Sequence, residues 1–496
     1  MALGATAQVV YATRPTTQDP FRYQTGFGNR FESEAVPGVL PRGRNTPQKC
    51  KYDLYSEQLN GSSFVAARAN IQHVWMYRIR PSVAHREVVP SPELNENLEA
   101  CFLPVNQKVQ YVASQQAWDP FPLVSEGQGQ TAQKDFAQGI CTVGGQGDAT
   151  SKEGIAIHIY SCSKSMVNRA FSSNDGDFLI LPQTGRLQIQ TELGWMMVRP
   201  GELVVIQAGI RFRVLLPDGP SRGYIQEIFG AHYELPELGP LGSNGMALPR
   251  DFESPLASFE IDASPWEIVS KTAGTLQTCR QDHTPFDVVA WHGNLVPYKY
   301  ALEKFVNVAN VERDQADPTV YCVLTAKSKH QAASLSDFLV FTPKYISTSD
   351  TFRPPYYHRN MSTEVMGLLY GRYGGSSHVL EPGGLSYEAA YMPHGETYET
   401  WKDATTRKLV PERICEDTIA FMFHISVPLL LTDWAVRGEG AGSLHTSPPE
   451  QWDGLAAHFL DHLDEVNRDL AKAGLPCLGD TRGLAATELV VGTVEK

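Results

Sequence analysis

The sequence lacks any apolar run near the roughly 20 residues that a membrane-spanning helix needs. It also lacks a basic excess, because 42 lysines and arginines face 55 aspartates and glutamates, for a net charge of −13. Nucleic-acid binding depends on concentrated basic side chains, so neither a nucleic acid nor a membrane is expected as a partner. The first residues do not combine a basic segment with an apolar core, so no secretory signal is expected.

The eight cysteines lie far apart and form no CxxC pair. In a chain of 496 residues this spacing favours reduced thiols over a disulfide framework. The P-loop, the GxGxxG turn before a helix, GxSxG and HExxH are also missing. These absences predict a cytoplasmic enzyme or binding protein whose chemistry depends on other residues.

Short β-rich segments separated by turn residues dominate the sequence, which has 41 glycines and 33 prolines. Leu187, Ile189 and Thr191 alternate with polar residues, as in a half-buried strand. Between residues 176 and 216 the turns recur at roughly the 8–12-residue spacing of a sandwich or barrel. A second β-rich stretch covers about 319–434. We predict a mainly β protein with a duplicated barrel and one helix over residues 449–473.

His358 and Glu364 are candidate metal ligands that lie six residues apart. Neither a strand nor a helix brings this spacing together, so a shared ion requires a turn near residues 360–362, which Asn and Ser permit. His394, after a glycine-rich turn, supplies a second imidazole. Two histidines and one carboxylate form the facial triad of non-haem Fe(II) oxygenases. On spacing alone, unrelated polar contacts of these residues are the commoner explanation.

His292 ends an apolar segment and is followed by Gly-Asn, a loop entry where catalytic groups often lie. The position suits an acid/base residue and a structural capping histidine equally well.

Long strings spread over nearly the whole chain resemble the homogentisate 1,2-dioxygenase family. They are Tyr23–Asn29, Asn60–Phe64, Asp175–Leu179, His232–Pro240, Trp291–Asn294, Thr351–Asn360 and Pro393–Gly395. The resemblance implies a bicupin-like, mainly β fold with a large N-terminal β domain (1–285). This domain is followed by a C-terminal cupin-type barrel that carries the metal site (286–445) and by a helical tail (446–496). It also implies a homohexamer built as a dimer of trimers, or a homotrimer.

The resemblance assigns Fe(II) as the cofactor and His358, Glu364 and His394 as its ligands. It implies that His292 is the catalytic acid/base, and that Tyr373 and His394 contact the substrate. The implied reaction is extradiol-type ring cleavage of homogentisate, a small aromatic hydroquinone, by O₂ to 4-maleylacetoacetate in tyrosine and phenylalanine catabolism. The alternatives are a paralogue that cleaves a different hydroquinone in secondary metabolism, and a non-catalytic cupin that binds small molecules. The intact ligand set disfavours the non-catalytic cupin.

Two positions depart from the pattern that the resemblance implies. That pattern has a histidine six residues before the final ligand and a glutamate directly after residues 420–423, where this chain has Glu388 and His424. Two independent changes would explain this, and so would a reciprocal exchange between touching side chains, since a buried unpartnered carboxylate is costly. We therefore expect Glu388 and His424 to form a hydrogen-bonded specificity pair near the metal pocket. We expect this pair to shift preference away from homogentisate.

Overall fold

The computed structural model describes residues 16–123, 133–238, 246–307, 318–329, 334–346, 351–353, 356–373, 380–447 and 449–478. Strands predominate in these residues, as predicted. The α-helices are short and comprise Phe136–Gly139, Tyr398–Thr406, Asp433–Val436 and Leu463–Lys472. Single turns of 3-10 helix occupy Lys51–Asp53, Arg68–Asn70, Pro92–Leu94, Ala149–Ser151, Pro249–Asp251, Leu302–Lys304, Pro318–Tyr321, Glu439–Ser443, Pro449–Trp452 and His458–His462.

An 11-stranded sheet runs through the centre of the fold. In spatial order its strands are Tyr23–Thr25, Phe252–Pro255, Tyr298–Ala301, Glu202–Ile206, Gly176–Thr184, Ser221–Phe229, Glu153–Cys162, Ile140–Asp148, Leu430–Thr432 and Val109–Gln110, and Cys101–Phe102 pairs beside Ile140–Asp148. Alternate residues of its strand Gly176–Thr184 face two different hydrophobic cores, because successive side chains of a strand point to opposite faces. Phe178 and Ile180 enter one core, and Leu179 and Leu181 enter the other.

A second sheet of seven strands closes the first of these cores. Its strands, in spatial order, are Gly194–Val198, Leu187–Thr191, Phe212–Leu215, Arg169–Ser173, Trp266–Thr272, Thr275–Gln281 and Val89–Pro90. Leu187 and Ile189 point inward, as their alternation predicts, and pack with Phe178 and Ile180. This is the first of the two predicted β units.

A third sheet, also of seven strands, packs on the opposite face of the central sheet. Its strands are Tyr233–Glu234, Cys322–Lys327, Ser334–Phe341, Ile419–Ile425, Thr363–Tyr370, Leu385–Glu388 and Gln116–Trp118. Val365, Phe421 and Phe423 face the central sheet and share a core with Leu179. Met366, Leu368 and Ala420 alternate with them and face the other way, into a separate apolar cluster. The face of the third sheet that turns away from the central sheet can therefore line a binding site.

Two smaller sheets complete the β structure. One contains Phe31–Glu34, Val288–Gly293, His73–Arg78 and Tyr55–Asn60, and the other pairs Lys344–Ile346 with Glu412–Ile414. Among the described residues, no helix is both long and apolar enough to cross a membrane. All eight cysteines have free thiols, which agrees with the prediction from their spacing.

The helix predicted over residues 449–473 is wrong in its first half. Only Leu463–Lys472 is α-helical, and it is preceded by the two 3-10 turns at residues 449–452 and 458–462. Gly454 lies between these turns and packs so closely on Tyr398 that a β-carbon would come within 2.7 Å of the ring. Apolar spacing alone did not indicate this tertiary contact. Residues 479–496 of the predicted helical tail lie outside the described residues.

Candidate metal centre

His358 and His394 lie directly opposite each other in an isolated antiparallel bridge. The backbone N–H of His358 donates to the His394 carbonyl at 3.0 Å, and that of His394 donates to the His358 carbonyl at 3.1 Å. Glu364 is the second residue of the strand Thr363–Tyr370. One potential ligand atom from each of these three side chains lies within 4.8 Å of the other two.

The turn expected at residues 360–362 is present and brings Glu364 back beside His358. The Asn360 side-chain oxygen accepts the Ser362 backbone N–H at 2.8 Å, which bends the chain before the strand begins. The Asn360 amide then donates to Glu364 Oε1 at 2.8 Å. A single asparagine therefore shapes the turn and orients the carboxylate.

The ring nitrogens of both histidines are arranged as in metal ligands. Nδ1 of His358 lies 3.1 Å from the Tyr356 carbonyl oxygen, and Nδ1 of His394 lies 3.0 Å from that of Met392. A carbonyl can only accept, so each Nδ1 carries the proton and each Nε2 faces Glu364, at 3.4 and 3.5 Å. His394 Nε2 is buried and has no hydrogen-bond partner. Two imidazoles and one carboxylate fit a divalent transition metal, which would satisfy this nitrogen.

Charge in the cluster is distributed as a cation site requires. Burial by itself would raise the pKa of Glu364, but the hydrogen bond with His358 and the nearby His394 imidazole lower it well below its usual range. Hydrogen bonding to Glu364 raises the pKa of His358. Burial alone would lower the pKa of His394, but contact with Glu364 raises it to about 9. Metal binding must displace protons from the imidazoles, so affinity falls as the pH falls.

The Glu364 carboxylate projects from the face of the third sheet that turns away from the central sheet. Strand register places polar residues in one row across this face: Thr325, Asp337, His424, Glu364 and Glu388. The next row along the strands on this face contains Ser386 and is otherwise apolar, with Leu339, Met366 and Met422. The three candidate ligands therefore border an apolar cluster on this face of the sheet.

The predicted hydrogen bond between Glu388 and His424 is absent, and this prediction is wrong. Glu388 pairs with Glu364 on one side and His424 pairs with Glu364 on the other, so the ligand's strand separates them. Two strand spacings put their Cα atoms about 10 Å apart. Burial raises the pKa of Glu388 to about 8, and its hydrogen bond is to Gln115.

Tyr373 lies close to the ligands, beyond the end of the strand Thr363–Tyr370. It forms a β-bridge with Leu380, and its ring centroid is 5.7 Å from that of Phe341. Burial raises the pKa of Tyr373, and the Glu396 and Glu364 carboxylates raise it further. The side chain is therefore a neutral phenol in the same apolar cluster as Met366.

His292 is on a different sheet from the three clustered residues. It belongs to the strand Val288–Gly293, and its Nε2 lies 3.1 Å from the Tyr77 hydroxyl. Burial lowers the pKa of His292, so the ring is neutral at neutral pH. Within the described part of this chain, no hydrogen bond or ion pair joins His292 to His358, Glu364 or His394.

Sequence reasoning missed two ionisable groups in the neighbourhood of Tyr373, of which Glu396 is buried and Lys344 is partly buried. Glu396 is only 2% exposed, and burial raises its pKa to about 7. Lys344 donates to the Tyr321 hydroxyl at 3.2 Å and lies 4.2 Å from the centroid of that ring, and burial lowers its pKa to about 8. The only sequence signal was that Glu396 lies two residues after His394.

Two histidines of an isolated bridge and one glutamate of the adjoining sheet, beside an apolar cluster, define a candidate mononuclear metal centre. The family model described as homogentisate 1,2-dioxygenase N-terminal matches residues 22–302, and its C-terminal counterpart matches residues 303–459. The chain therefore belongs to the homogentisate 1,2-dioxygenase family, as the sequence motifs predicted.

Two relatives illustrate the extent of the similarity. The chain is 45% identical over 421 residues to homogentisate 1,2-dioxygenase of Dictyostelium discoideum, covering 85% of this chain and 94% of that one. It is 43% identical over 445 residues to the Caenorhabditis elegans enzyme, covering 89% and 98%. Among solved structures, the S161A mutant of oxalate decarboxylase OxdC from Bacillus subtilis matches at 10% identity with a TM-score of 0.27, covering 68% and 82%. That structural likeness is too low to inform on function.

Proposed function

We propose that this protein cleaves the ring of homogentisate with O₂, giving 4-maleylacetoacetate, and that its metal is Fe(II). The observation that carries the proposal is the cluster of His358, Glu364 and His394, with Nε2 of both rings turned toward one carboxylate. Family membership supports the substrate and the reaction. The two-histidine, one-carboxylate set is the ligand set of non-haem Fe(II) oxygenases.

When bound, Fe(II) on three protein ligands would leave positions open for a phenolic oxygen and for O₂ and would couple them electronically. The surrounding residues orient the substrate and exclude water. Leu339, Met366 and Met422 supply the apolar wall. Tyr373 remains protonated and can donate a hydrogen bond to the substrate, and His394 borders the same space.

We propose His292 as the acid/base residue for the ring hydroxyl. Its support is a neutral, half-buried imidazole on a strand end, since a neutral ring can accept a proton. The Tyr77 hydroxyl contacts Nε2 and holds the ring in place.

The domain division is also a proposal. The predicted boundary between residues 285 and 286 falls before the strands Val288–Gly293 and Tyr298–Ala301. Both pair with strands that precede residue 256, in the four-stranded and central sheets. Because the two family models meet between residues 302 and 303, we propose that this stretch belongs to the N-terminal domain and that the catalytic domain follows it.

We propose that the chain assembles as a homotrimer or as a homohexamer built from two trimers. Large apolar side chains are exposed near the metal ligands, namely Tyr356, Tyr357, Met361, Tyr391 and Met392. The bridge between His358 and His394 brings the two segments that carry them together, so these side chains are candidates for burial in a protein interface. The free thiols support a reducing compartment, and we propose the cytoplasm.

A paralogue that acts on another hydroquinone is the second candidate, and Glu388 is the observation that favours it. This carboxyl is 7% exposed and lies directly across from Glu364, where it adds an acidic group beside the ligands. Burial raises its pKa to about 8, so the carboxyl is largely protonated at neutral pH, and its ionisation at higher pH would oppose a substrate carboxylate. A non-catalytic cupin is disfavoured, because the buried, unpartnered Nε2 of His394 would then serve no purpose.

Relative turnover separates the two catalytic candidates. Iron-loaded protein should cleave homogentisate with a kcat/KM at least about tenfold above that for gentisate, in which the carboxyl group is attached directly to the ring. An isosteric Glu388→Gln variant should keep this preference if the protein acts on homogentisate. Turnover of gentisate or another hydroquinone in preference to homogentisate would instead establish the paralogue.

A further inference from the structure

Glu396 is a buried carboxyl group that the proposed chemistry has not used. The residue is 2% exposed, and its Oε2 is buried without a hydrogen-bond partner. No ion pair of Glu396 is found in the part of the chain that the structure describes. Burying a carboxyl group without a partner is costly, so such a group in a folded protein needs an explanation.

Other buried acidic side chains in this protein have partners. Glu227 contacts Lys271 at 2.7 Å, Glu192 contacts Arg78 at 2.9 Å, and Asp177 contacts His232 at 2.7 Å. Glu364 accepts a hydrogen bond from Asn360. The fold therefore satisfies carboxylates elsewhere and leaves Glu396 unsatisfied in the neighbourhood of the metal ligands.

Glu396 lies between the candidate ligand His394 and the helix Tyr398–Thr406. It follows His394 by two residues, a chain span of at most about 7 Å. It precedes Thr397, whose hydroxyl caps the helix Tyr398–Thr406 by accepting the Thr400 N–H at 3.4 Å. Burial raises the pKa of Tyr373 and of Tyr357, and the Glu396 carboxylate raises both further. The carboxyl group therefore lies near both side chains. Tyr357 packs so tightly on Gly395 that a β-carbon there would come within 2.4 Å of the ring.

We propose that Glu396 binds the ring hydroxyl that the substrate does not give to the metal. The proposal rests on the proposed function, because a hydroquinone with one oxygen on the metal presents a second hydroxyl in the pocket. That hydroxyl would donate to the unpartnered Oε2. Glu396 is then a specificity-determining residue that selects dihydroxylated rings over monophenols.

Ligand binding without turnover tests this role. Dissociation constants for homogentisate and for 2-hydroxyphenylacetate, which lacks the second hydroxyl, are measured in the absence of O₂ on iron-loaded protein. Wild-type protein should prefer homogentisate by roughly 10- to 100-fold, the worth of a hydrogen bond to a carboxylate. Glu396→Leu and Glu396→Met should bind both compounds within about twofold of each other, since neither variant has an acceptor.

Two further variants separate recognition from structural damage. Glu396→Gln keeps an acceptor oxygen and should retain part of the preference. Glu399→Gln, a change at an exposed position on the adjoining helix, should retain all of it. Glu396→Met serves as the second apolar variant if Glu396→Leu does not fold. Iron content should be equal in all variants.

These measurements distinguish failure of this inference from failure of the proposed function. If the apolar variants weaken binding of both compounds by the same factor, Glu396 does not bind the hydroxyl and the inference is overturned, while wild-type cleavage of homogentisate still supports the proposed function. If wild-type protein neither binds nor cleaves homogentisate, the proposed function fails and the inference fails with it.

Discussion

The carbonyl groups of Tyr356 and Met392 contribute to the metal centre although neither residue is a ligand. Each lies two residues before a histidine and accepts from its Nδ1, at 3.1 and 3.0 Å. This contact selects the tautomer and fixes the ring plane, so that Nε2 faces Glu364 before any ion binds. Preorganisation of this kind comes from local backbone geometry rather than from additional side chains.

The assignment of His292 as the acid/base residue predicts the effect of a single substitution. His292→Gln should leave iron content unchanged and lower kcat on homogentisate by roughly 10²- to 10⁴-fold, because a glutamine cannot exchange a proton with the ring hydroxyl. Metal analysis and steady-state kinetics check the two parts. His85→Gln, at an exposed position, is the control. Loss of iron from His292→Gln would identify the residue as a ligand rather than a base.

The sequence identified some site residues and missed others for a physical reason. His358, Glu364 and His394 are a recognisable ligand set, and the turn they require was deducible from Asn360. Glu396 has no distinctive sequence context, because its burial without a partner depends on the tertiary structure. The expected pairing of Glu388 with His424 failed because it depended on strand order, and the strand of Glu364 lies between them.

At the scale of elements, His232 joins the central sheet to the loop after the strand Tyr55–Asn60. Its Nδ1 lies 2.7 Å from Asp177 Oδ2, and its Nε2 lies 2.9 Å from the Gly61 carbonyl oxygen. Both partners are acceptors, so both ring nitrogens must carry protons and the imidazole is charged. Burial alone would lower the pKa of His232, but Asp177 raises it to about 9.

This contact predicts a pH-dependent stability. The folded pKa of about 9 exceeds the ordinary value of 6.5, so the stabilisation is complete below about pH 6.5 and is lost as the pH rises through 9. His232→Asn should lower the free energy of unfolding by about 1–3 kcal/mol at pH 6, and the difference should shrink above pH 9. Denaturant unfolding at the two pH values measures this. An equal loss at both values would show that packing, not charge, explains the effect. His462→Asn, at an exposed position, is the control.

Strands with a strong alternation of apolar and polar residues were predicted correctly. The helix after residue 449, which depends on a contact with a distant segment, was not. Leu187 and Ile189 face the first core as their period of two requires. The apolar spacing after residue 449 suggested one continuous helix, but close packing of Gly454 on Tyr398 interrupts it. A periodic pattern contains no information about such a contact between segments far apart in sequence.

In the whole molecule, the central sheet separates the two β units. The central sheet packs on the second sheet through one face and on the third sheet through the other. The third sheet then presents Glu364 and a separate apolar cluster on its remaining face. Two β units were predictable from strand rhythm. Their arrangement on opposite faces of a shared sheet was not, because it depends on pairing between segments such as residues 140–148 and 430–432.

The exposed apolar residues near the ligands predict an oligomer. Sedimentation of wild-type protein should give a mass of three or six 54.8 kDa chains. Tyr391→Glu should shift the protein toward monomers, because a buried unpaired carboxylate destabilises an interface. Val167→Glu, at an exposed position on the first β unit, should not. A wild-type protein that sediments as a monomer would contradict the proposed assembly.

An iron titration shows whether His358, Glu364 and His394 hold the iron that cleaves homogentisate. Metal-free protein is titrated with Fe(II), and O₂ uptake with homogentisate is recorded together with formation of maleylacetoacetate. Wild-type protein should gain activity in proportion to bound iron and reach a plateau at equimolar iron. His394→Ala and Glu364→Ala should neither retain iron nor consume O₂, whereas the control His462→Ala should match wild type. Full ring-cleaving activity in His394→Ala or Glu364→Ala, or no activity in iron-saturated wild-type protein, would contradict the account.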